Sequence, residues 1–269
     1  MSKQRVLTAV ILAPLVIFII LLMPSGLFSL LVALLILVGA WEWSAMMVLP
    51  NTRTRMLYVL LVALALLCLQ MPWAPAPVLL HQIAAYWWLL AAFLVISYPR
   101  LTVVWCRPWI KGLAGLLVLV PTWSSLVWLC NQQDGQNLLL FLLLLVWGAD
   151  TGAYFIGKRY GHVKLMPAVS PAKSWAGVGG AVLVVLLISL LGQYLITWPW
   201  SHPWLVHMIA MMTVIAVIIG DLLESMYKRH CGIKDSGQLL PGHGGIMDRI
   251  DSLTAAAPVF AVCIHMLGG

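Results

Sequence analysis

About nine apolar runs follow one another along this chain, most of them long enough to cross a bilayer. They occupy residues 6–23, 26–47, 56–69, 78–96, 109–130, 137–156, 175–196, 204–226 and 252–267. A helix needs about 20 apolar residues to span the hydrocarbon, and tilt or tight packing relaxes this. The chain is 63% hydrophobic and only 9% charged. A water-soluble fold could not cover so much apolar surface, so lipid is the solvent for most of it. The expected fold class is all-α: a polytopic integral membrane helical bundle of about nine transmembrane helices. The 269 residues read as a single membrane-embedded domain. Residues 1–135 supply amino-terminal helices, and 136–269 carry the polar loops.

The first run follows Lys3 and Arg5, as in a signal peptide. It is too long for the apolar core of one and no A-x-A site follows it, so it reads as a retained first helix. Joints rich in Pro and Gly, at 24–26, 72–77 and 199–203, separate several runs. Trp73, Trp87, Trp88, Trp198, Trp200 and Trp204 lie near predicted span ends, where amphipathic rings favour the headgroup layer.

Orientation follows from counting charges. With nine spans, one side receives Lys3 and Arg5, then Arg53 and Arg55, then Arg100, Arg107 and Lys111. Lys158, Arg159, Lys164, Lys173, Lys228, Arg229, Lys234 and Arg249 fall there too, which makes all 15 basic residues. Connections on the other side, such as 71–77, 131–136 and 197–203, have none. Basic residues collect in cytoplasmic loops, so the amino terminus is expected in the cytoplasm. The net charge of +7 therefore reads as orientation in the bilayer, with no nucleic-acid partner. A basic surface also suits anionic lipid headgroups and nucleotide phosphates. The five cysteines are scattered and show no CxxC spacing, which argues against a disulfide framework or a zinc site.

Eight acidic residues are unevenly placed. Glu42 and Asp134 stand apart. Asp150, Asp221, Glu224, Asp235, Asp248 and Asp251 fall on or beside the cytoplasmic ends of the last four runs. A carboxylate inside a span costs roughly 2.5–3.5 kcal/mol, so such residues usually have a partner or a task. Asp221 and Ser225 share a helix face at a spacing of four, and Asp248 and Asp251 at a spacing of three. Two helix ends joined by a short loop can bring these carboxylates together, and clustered oxygen ligands suit Mg²⁺. Lys228, Arg229, Lys234 and Arg249 lie among them and can hold phosphates. Gly242, Gly244 and Gly245 flank His243. Such a loop lets main-chain N–H groups face an anion, and it runs into a helix amino terminus.

Each piece has a plainer reading. Glu224 and Lys228 suit a surface ion pair. Asp248 suits a helix cap, the glycines an ordinary turn, His243 a structural role and Asp235 loop shaping. A second segment, 147–180, lies on the same side. It carries Asp150, Ser170, Lys173 and Ser174, with Ser174 placed to cap the next helix. The plainer reading of its cations is topology, and of Asp150 an interhelical partner.

Residues 225–251 pair S-x-x-K-R with K-D, then P-G-H-G-G, then D-R-x-D. This resembles the signature of the phosphatidate cytidylyltransferase family, the CDP-diacylglycerol synthases. Residues 147–152 and 170–177 are similar to that family too, and residues before about 140 only in general style. The resemblance implies that phosphatidic acid attacks the α-phosphorus of CTP, giving CDP-diacylglycerol and pyrophosphate with Mg²⁺ as cofactor. It implies metal carboxylates at Asp221 and Asp248, with Asp251 close by. It puts Lys173, Lys228, Arg229 and Arg249 on phosphates, with Ser170, Ser174 and Ser225 lining the site. The candidate catalytic residues are Asp221, Asp248, Asp251, Lys173 and His243. Lys234, Asp235, Gly244, Gly245 and Asp150 join the substrate-binding candidates. A homodimer in a bacterial inner membrane is also implied. One position departs: the family commonly has an acidic or amide residue where this chain has Ala176, so no role is carried over there.

Rival readings are a multi-span transporter of an anionic substrate and another CTP-using membrane lipid enzyme. A transporter built from repeats would show a second copy of the polar segment, and none exists. A CDP-alcohol phosphotransferase would follow Asp134-Gly135 with a D-G-x-x-A-R run, which is missing.

Overall fold

The computed structural model describes residues 3–196, 198, 202–239 and 244–268. His243 and Gly242 therefore lie outside the described residues, as does Trp200. The described chain runs α1 (Lys3–Leu22), α2 (Ser25–Met46), α3 (Thr52–Cys68), α4 (Pro77–Ile96), α5 (Thr102–Trp105), α6 (Pro108–Cys130) and α7 (Gly135–Tyr160). A ribbon of β1 (Lys164–Met166) and β2 (Ser170–Ser174) follows, then α8 (Trp175–Leu195), α9 (Trp204–His230) and α10 (Met247–Gly268). Helices dominate because each satisfies its own backbone, the only economical arrangement in lipid for an open chain.

Among the described residues, seven helices are long and apolar enough to cross a membrane: α2, α4, α6, α7, α8, α9 and α10. The expectation was nine. Every run does coincide with a helix, but α3 has 17 residues and begins beside Arg53 and Arg55, and the apolar stretch counted in α1 is only Leu12–Leu22. Several helices extend further than the apolar runs suggested, α3 starting at Thr52 and α10 at Met247. α7 continues to Tyr160 and α9 to His230, so their last turns carry Lys158, Arg159, Lys228 and Arg229. Cations there suit the negative end of the helix dipole.

Among the described residues the ribbon is a two-stranded sheet, which the all-α reading did not contain. β1 and β2 pair antiparallel, with Lys164 opposite Ser174 and Met166 opposite Ser170. Pro167 and Pro171 prevent a helix from continuing here. Val169, at the turn, is fully buried.

The bundle has two chemically different ends. At one, α2, α6 and α9 meet around Lys111, which is 1% exposed. Its Nζ donates to the Met46 carbonyl at 2.9 Å and lies 3.3 Å from Cys231 Sγ. Lys111 was counted as a loop charge; here it is a buried link that satisfies an orphan carbonyl at the end of α2. Trp43 Nε1 donates to the Lys111 carbonyl at 2.8 Å, and Tyr58 to that of Gly112 at 3.0 Å. At the opposite end His81, Trp128 and His265 pack together, and Gln136 Nε2 donates to the Leu21 carbonyl at 3.0 Å. Trp88 does not serve as an interfacial anchor: it is 3% exposed, within the core, whereas Trp73 and Trp204 stay exposed.

Candidate active site

The polar residues singled out in the sequence converge at the end that holds Lys111. Helices α7 and α8 pack closely enough to carry Asp150 and the ribbon to this place. Gly152 and Gly180 face each other, and a Cβ on either would collide with the other's carbonyl oxygen. One turn on, Gly157 lies against Gly177. Ser174 caps α8 as its position suggested, accepting from Gly177 N at 3.2 Å.

The ribbon then reaches α9 through Lys173, whose Nζ forms an ion pair with Asp221 Oδ2. On α9, Ser225 Oγ donates to Asp221 Oδ1 at 3.3 Å, one turn away. Arg229 Nε donates to the Val169 carbonyl at 3.2 Å and so latches the ribbon turn. Ser170 stands at the start of β2, partly exposed.

Asp150, Asp221, Glu224 and Asp251 form a connected group of carboxylates within electrostatic reach of one another. They come from α7, α9 and α10. Lys173 and Arg249 act on Asp150 in the opposite sense. Glu224 is 1% exposed, yet neither of its oxygens has a well-formed hydrogen bond. Lys228 Nζ stands 3.4 Å from its Oε1. The Glu224–Lys228 pair is therefore real but buried, and not the surface pair that spacing alone suggested.

Asp248 sits in a different setting from Asp251. Its Oδ1 accepts from Lys228 Nζ at 2.6 Å. Its Oδ2 accepts from Gly245 N at 2.7 Å, Ser236 N at 2.9 Å and Ser236 Oγ at 3.0 Å. Asp248 thus organises the loop between α9 and α10. Gly244 adopts φ +80°, and a side chain there would meet Asp248 and Asp235. Lys234 and Asp235 lie exposed on the same loop.

Glu42 was set aside in the sequence as standing apart. The structure overturns that. It is 2% exposed, its Oε1 accepts from Ile246 N at 3.1 Å, and its Oε2 accepts from Met247 N at 2.7 Å. Its Oε2 also receives the Ser236 hydroxyl at 3.1 Å. Three main-chain donors of this region thus have acceptors within the protein: Gly245 N has Asp248, and Ile246 N and Met247 N have Glu42. The available signal was a carboxylate inside an apolar run, which demands a partner. The partner lies 204 residues away at Ile246, beyond the reach of any local pattern.

Among the described residues, no three acidic, His or Cys side chains converge tightly enough to hold a metal ion unaided. The donor set still fits a hard cation. Every acidic group supplies oxygen, Glu224 keeps two buried oxygens without well-formed bonds, and Mg²⁺ commonly takes one or two carboxylates plus substrate phosphates.

The sequence profile of the cytidylyltransferase family matches residues 3–267. This chain belongs to that family. It is similar to the phosphatidate cytidylyltransferase of Pseudomonas aeruginosa, 42% identical over 269 residues that cover 100% of this chain and 98% of that protein. It is also similar to the phosphatidate cytidylyltransferase of Haemophilus influenzae, 35% identical over 97% of this chain and 98% of that protein. A third, from Staphylococcus epidermidis, is 39% identical over 134 residues, about half of each chain. In this cytidylyltransferase the matched region includes the weakly patterned amino-terminal helices, and with them Glu42.

Proposed function

We propose that this chain transfers the cytidylyl group of CTP to phosphatidic acid, forming CDP-diacylglycerol and pyrophosphate. The observation that carries the reading is full-length similarity to enzymes of that name, joined to a cluster of carboxylates and cations at one end of a lipid-embedded bundle.

The lipid phosphate is already a nucleophile, so the site has no need of a strong base. Its task is to bring two anions together and to stabilise the pyrophosphate leaving group, which positioning and fixed charge accomplish. Lys173, Lys228, Arg229 and Arg249 supply positive charge at the mouth of the carboxylate cluster. Release of Lys173 from Asp221, or of Lys228 from Asp248, would offer an ammonium to a phosphate. Asp221, Asp248 and Asp251 would hold Mg²⁺ together with substrate oxygens, Glu224 being adjacent. When bound, the ion would neutralise phosphate charge. Ser170, Ser174 and Ser225 would line the substrate site, Ser174 through its place at the start of α8.

We read the chain as a single domain whose nine apolar helices, α1 and the 17-residue α3 included, lie in a bacterial inner membrane with the amino terminus and active site facing the cytoplasm. The one-sided distribution of the 15 basic residues supports this. Such a site receives CTP from water and lipid sideways from the bilayer. The homodimer rests on the family resemblance.

The deciding experiment supplies purified protein with phosphatidic acid, Mg²⁺ and CTP labelled at either the α- or the γ-phosphate. Label enters lipid from the α-position only. Entry of γ-label instead would identify a lipid kinase and overturn the reading.

A further inference from the structure

We propose that Glu42 is a positioning residue for cytidylyl transfer, which acts from α2 by fixing the first turn of α10 and the loop that carries Asp248. The inference rests on the function proposed above.

Four observations carry it. Glu42 supplies the acceptors for two of the four main-chain N–H groups that a helix start leaves unpaired, those of Ile246 and Met247. A carboxylate at this place also complements the positive end of the α10 dipole. Next, the Ser236 hydroxyl lies between Glu42 Oε2 at 3.1 Å and Asp248 Oδ2 at 3.0 Å. It has one proton for two acceptors, so the orientation of either carboxylate depends on the other. Then, the loop is shaped around Glu42: a Cβ on Gly237 or on Gly245 would collide with its carboxylate oxygens. Two glycines of the signature region therefore make room for a protein carboxylate rather than for a ligand. Last, Glu42 is buried at 2% exposure, and water cannot replace it. α10 carries Asp248 in its first turn and Asp251 in the next, so the direction of that turn sets both.

Among the described residues, the hydrogen bonds of Glu42 reach Asp248 through Ser236 and the start of α10 through the amides of Ile246 and Met247. A glutamine there keeps the volume but turns one acceptor into a donor. That donor faces an N–H group, leaving a buried amide unpaired.

The test uses the full chain in detergent with phosphatidic acid and α-labelled CTP. kcat and the KM for CTP are measured per folded molecule for the parent, Glu42→Gln, Glu42→Ala and Ser236→Ala. Hydrogen exchange is followed at residues 245–248. Glu42→Gln is expected to raise KM and lower kcat each by about tenfold, and to speed exchange at Ile246 and Met247 by about tenfold, the size of one lost charge-assisted bond. Ser236→Ala should shift KM less, and its effect should not multiply with that of Glu42→Gln. Parent values of KM and kcat in Glu42→Gln overturn the proposal. So does a loss of folded yield with an unchanged KM, because that marks a merely structural residue. If neither Glu42 variant folds, Ser236→Ala decides: a changed KM together with faster exchange at Ile246 and Met247 supports the link, and a parent value of either removes it. A parent enzyme that incorporates no α-label overturns the proposed function itself, and the positioning role with it.

Discussion

Lys228 on α9 donates from Nζ to Asp248 Oδ1 on α10 at 2.6 Å, and the same ammonium lies 3.4 Å from Glu224 Oε1. One cation thus serves two carboxylates on two helices. Both Lys228 and Asp248 are largely buried, with side chains 13% and 8% exposed, so neither partner can be removed without leaving the other desolvated. Lys228→Ala should destabilise the protein by about 3 kcal/mol and lower turnover by at least about 100-fold. A thermal scan in detergent and the α-label assay check the two effects separately. Asp248→Asn keeps the shape but turns an amide donor toward Lys228 or toward Ser236 and Gly245, so it should also lose stability, by less than Lys228→Ala, and lose turnover to the same degree.

The ion pair of Lys173 with Asp221 joins the ribbon to α9. Its members are partly exposed, so its worth to stability is small, about 1 kcal/mol or less. Its worth to catalysis should be larger. Lys173→Met is expected to raise the KM for CTP or for lipid, and Asp221→Asn to lower kcat by about 100-fold. If the two residues act as a unit, the double variant falls far short of the product of the single losses. A multiplicative cycle would assign them independent roles.

Removal of divalent ions by a chelator should abolish turnover, and Mg²⁺ should restore it. Asp251→Asn should raise the Mg²⁺ concentration needed for half-maximal rate by about tenfold or more. A Mg²⁺ titration of purified parent and variant measures this. Activity that survives exhaustive chelation would exclude the metal assignment.

The close approach of α7 and α8 predicts sharply different outcomes for two neighbouring glycines. At Gly152 a Cβ would strike the Gly180 carbonyl, whereas at Gly179 nothing lies within 4 Å. Gly152→Val should therefore abolish folded protein, since overpacking with backbone displacement costs several kcal/mol. Gly179→Ala should be neutral or slightly stabilising. Size-exclusion profiles of the two variants from one expression host separate these results.

Much of the architecture was legible because its causes are local. Apolar runs located every long helix, since each must satisfy its own backbone in lipid. Ser174 announced its capping role through position alone, and the i, i+4 spacing of Asp221 and Ser225 placed them on one helix face, where they bond. Other features were not legible. Spacing placed Asp248 and Asp251 on one helix face and gave no sign of their separate partners. In the structure Asp248 turns to Lys228, Ser236 and Gly245, while Asp251 joins Glu224 and Asp221. Lys111 looked like a topological charge and proved to be a buried link to Met46. The partners in these cases come from other helices, and periodicity carries no information about them.

The stretch from Asp221 to Ser252 was a polar island in an apolar chain, and sequence sufficed to mark it as the candidate site. Composition determined that the chain lies in lipid, and residue spacing with family likeness determined the kind of reaction. Tertiary structure alone decided what the glycine loop and the start of α10 are held by. The N–H group of Gly245 meets Asp248, and those of Ile246 and Met247 meet Glu42, contributed by a helix more than 200 residues away. The reason is physical: a buried carboxylate and a helix start each carry unmet hydrogen-bonding demand, and only the packing of α2 against α10 brings the two together.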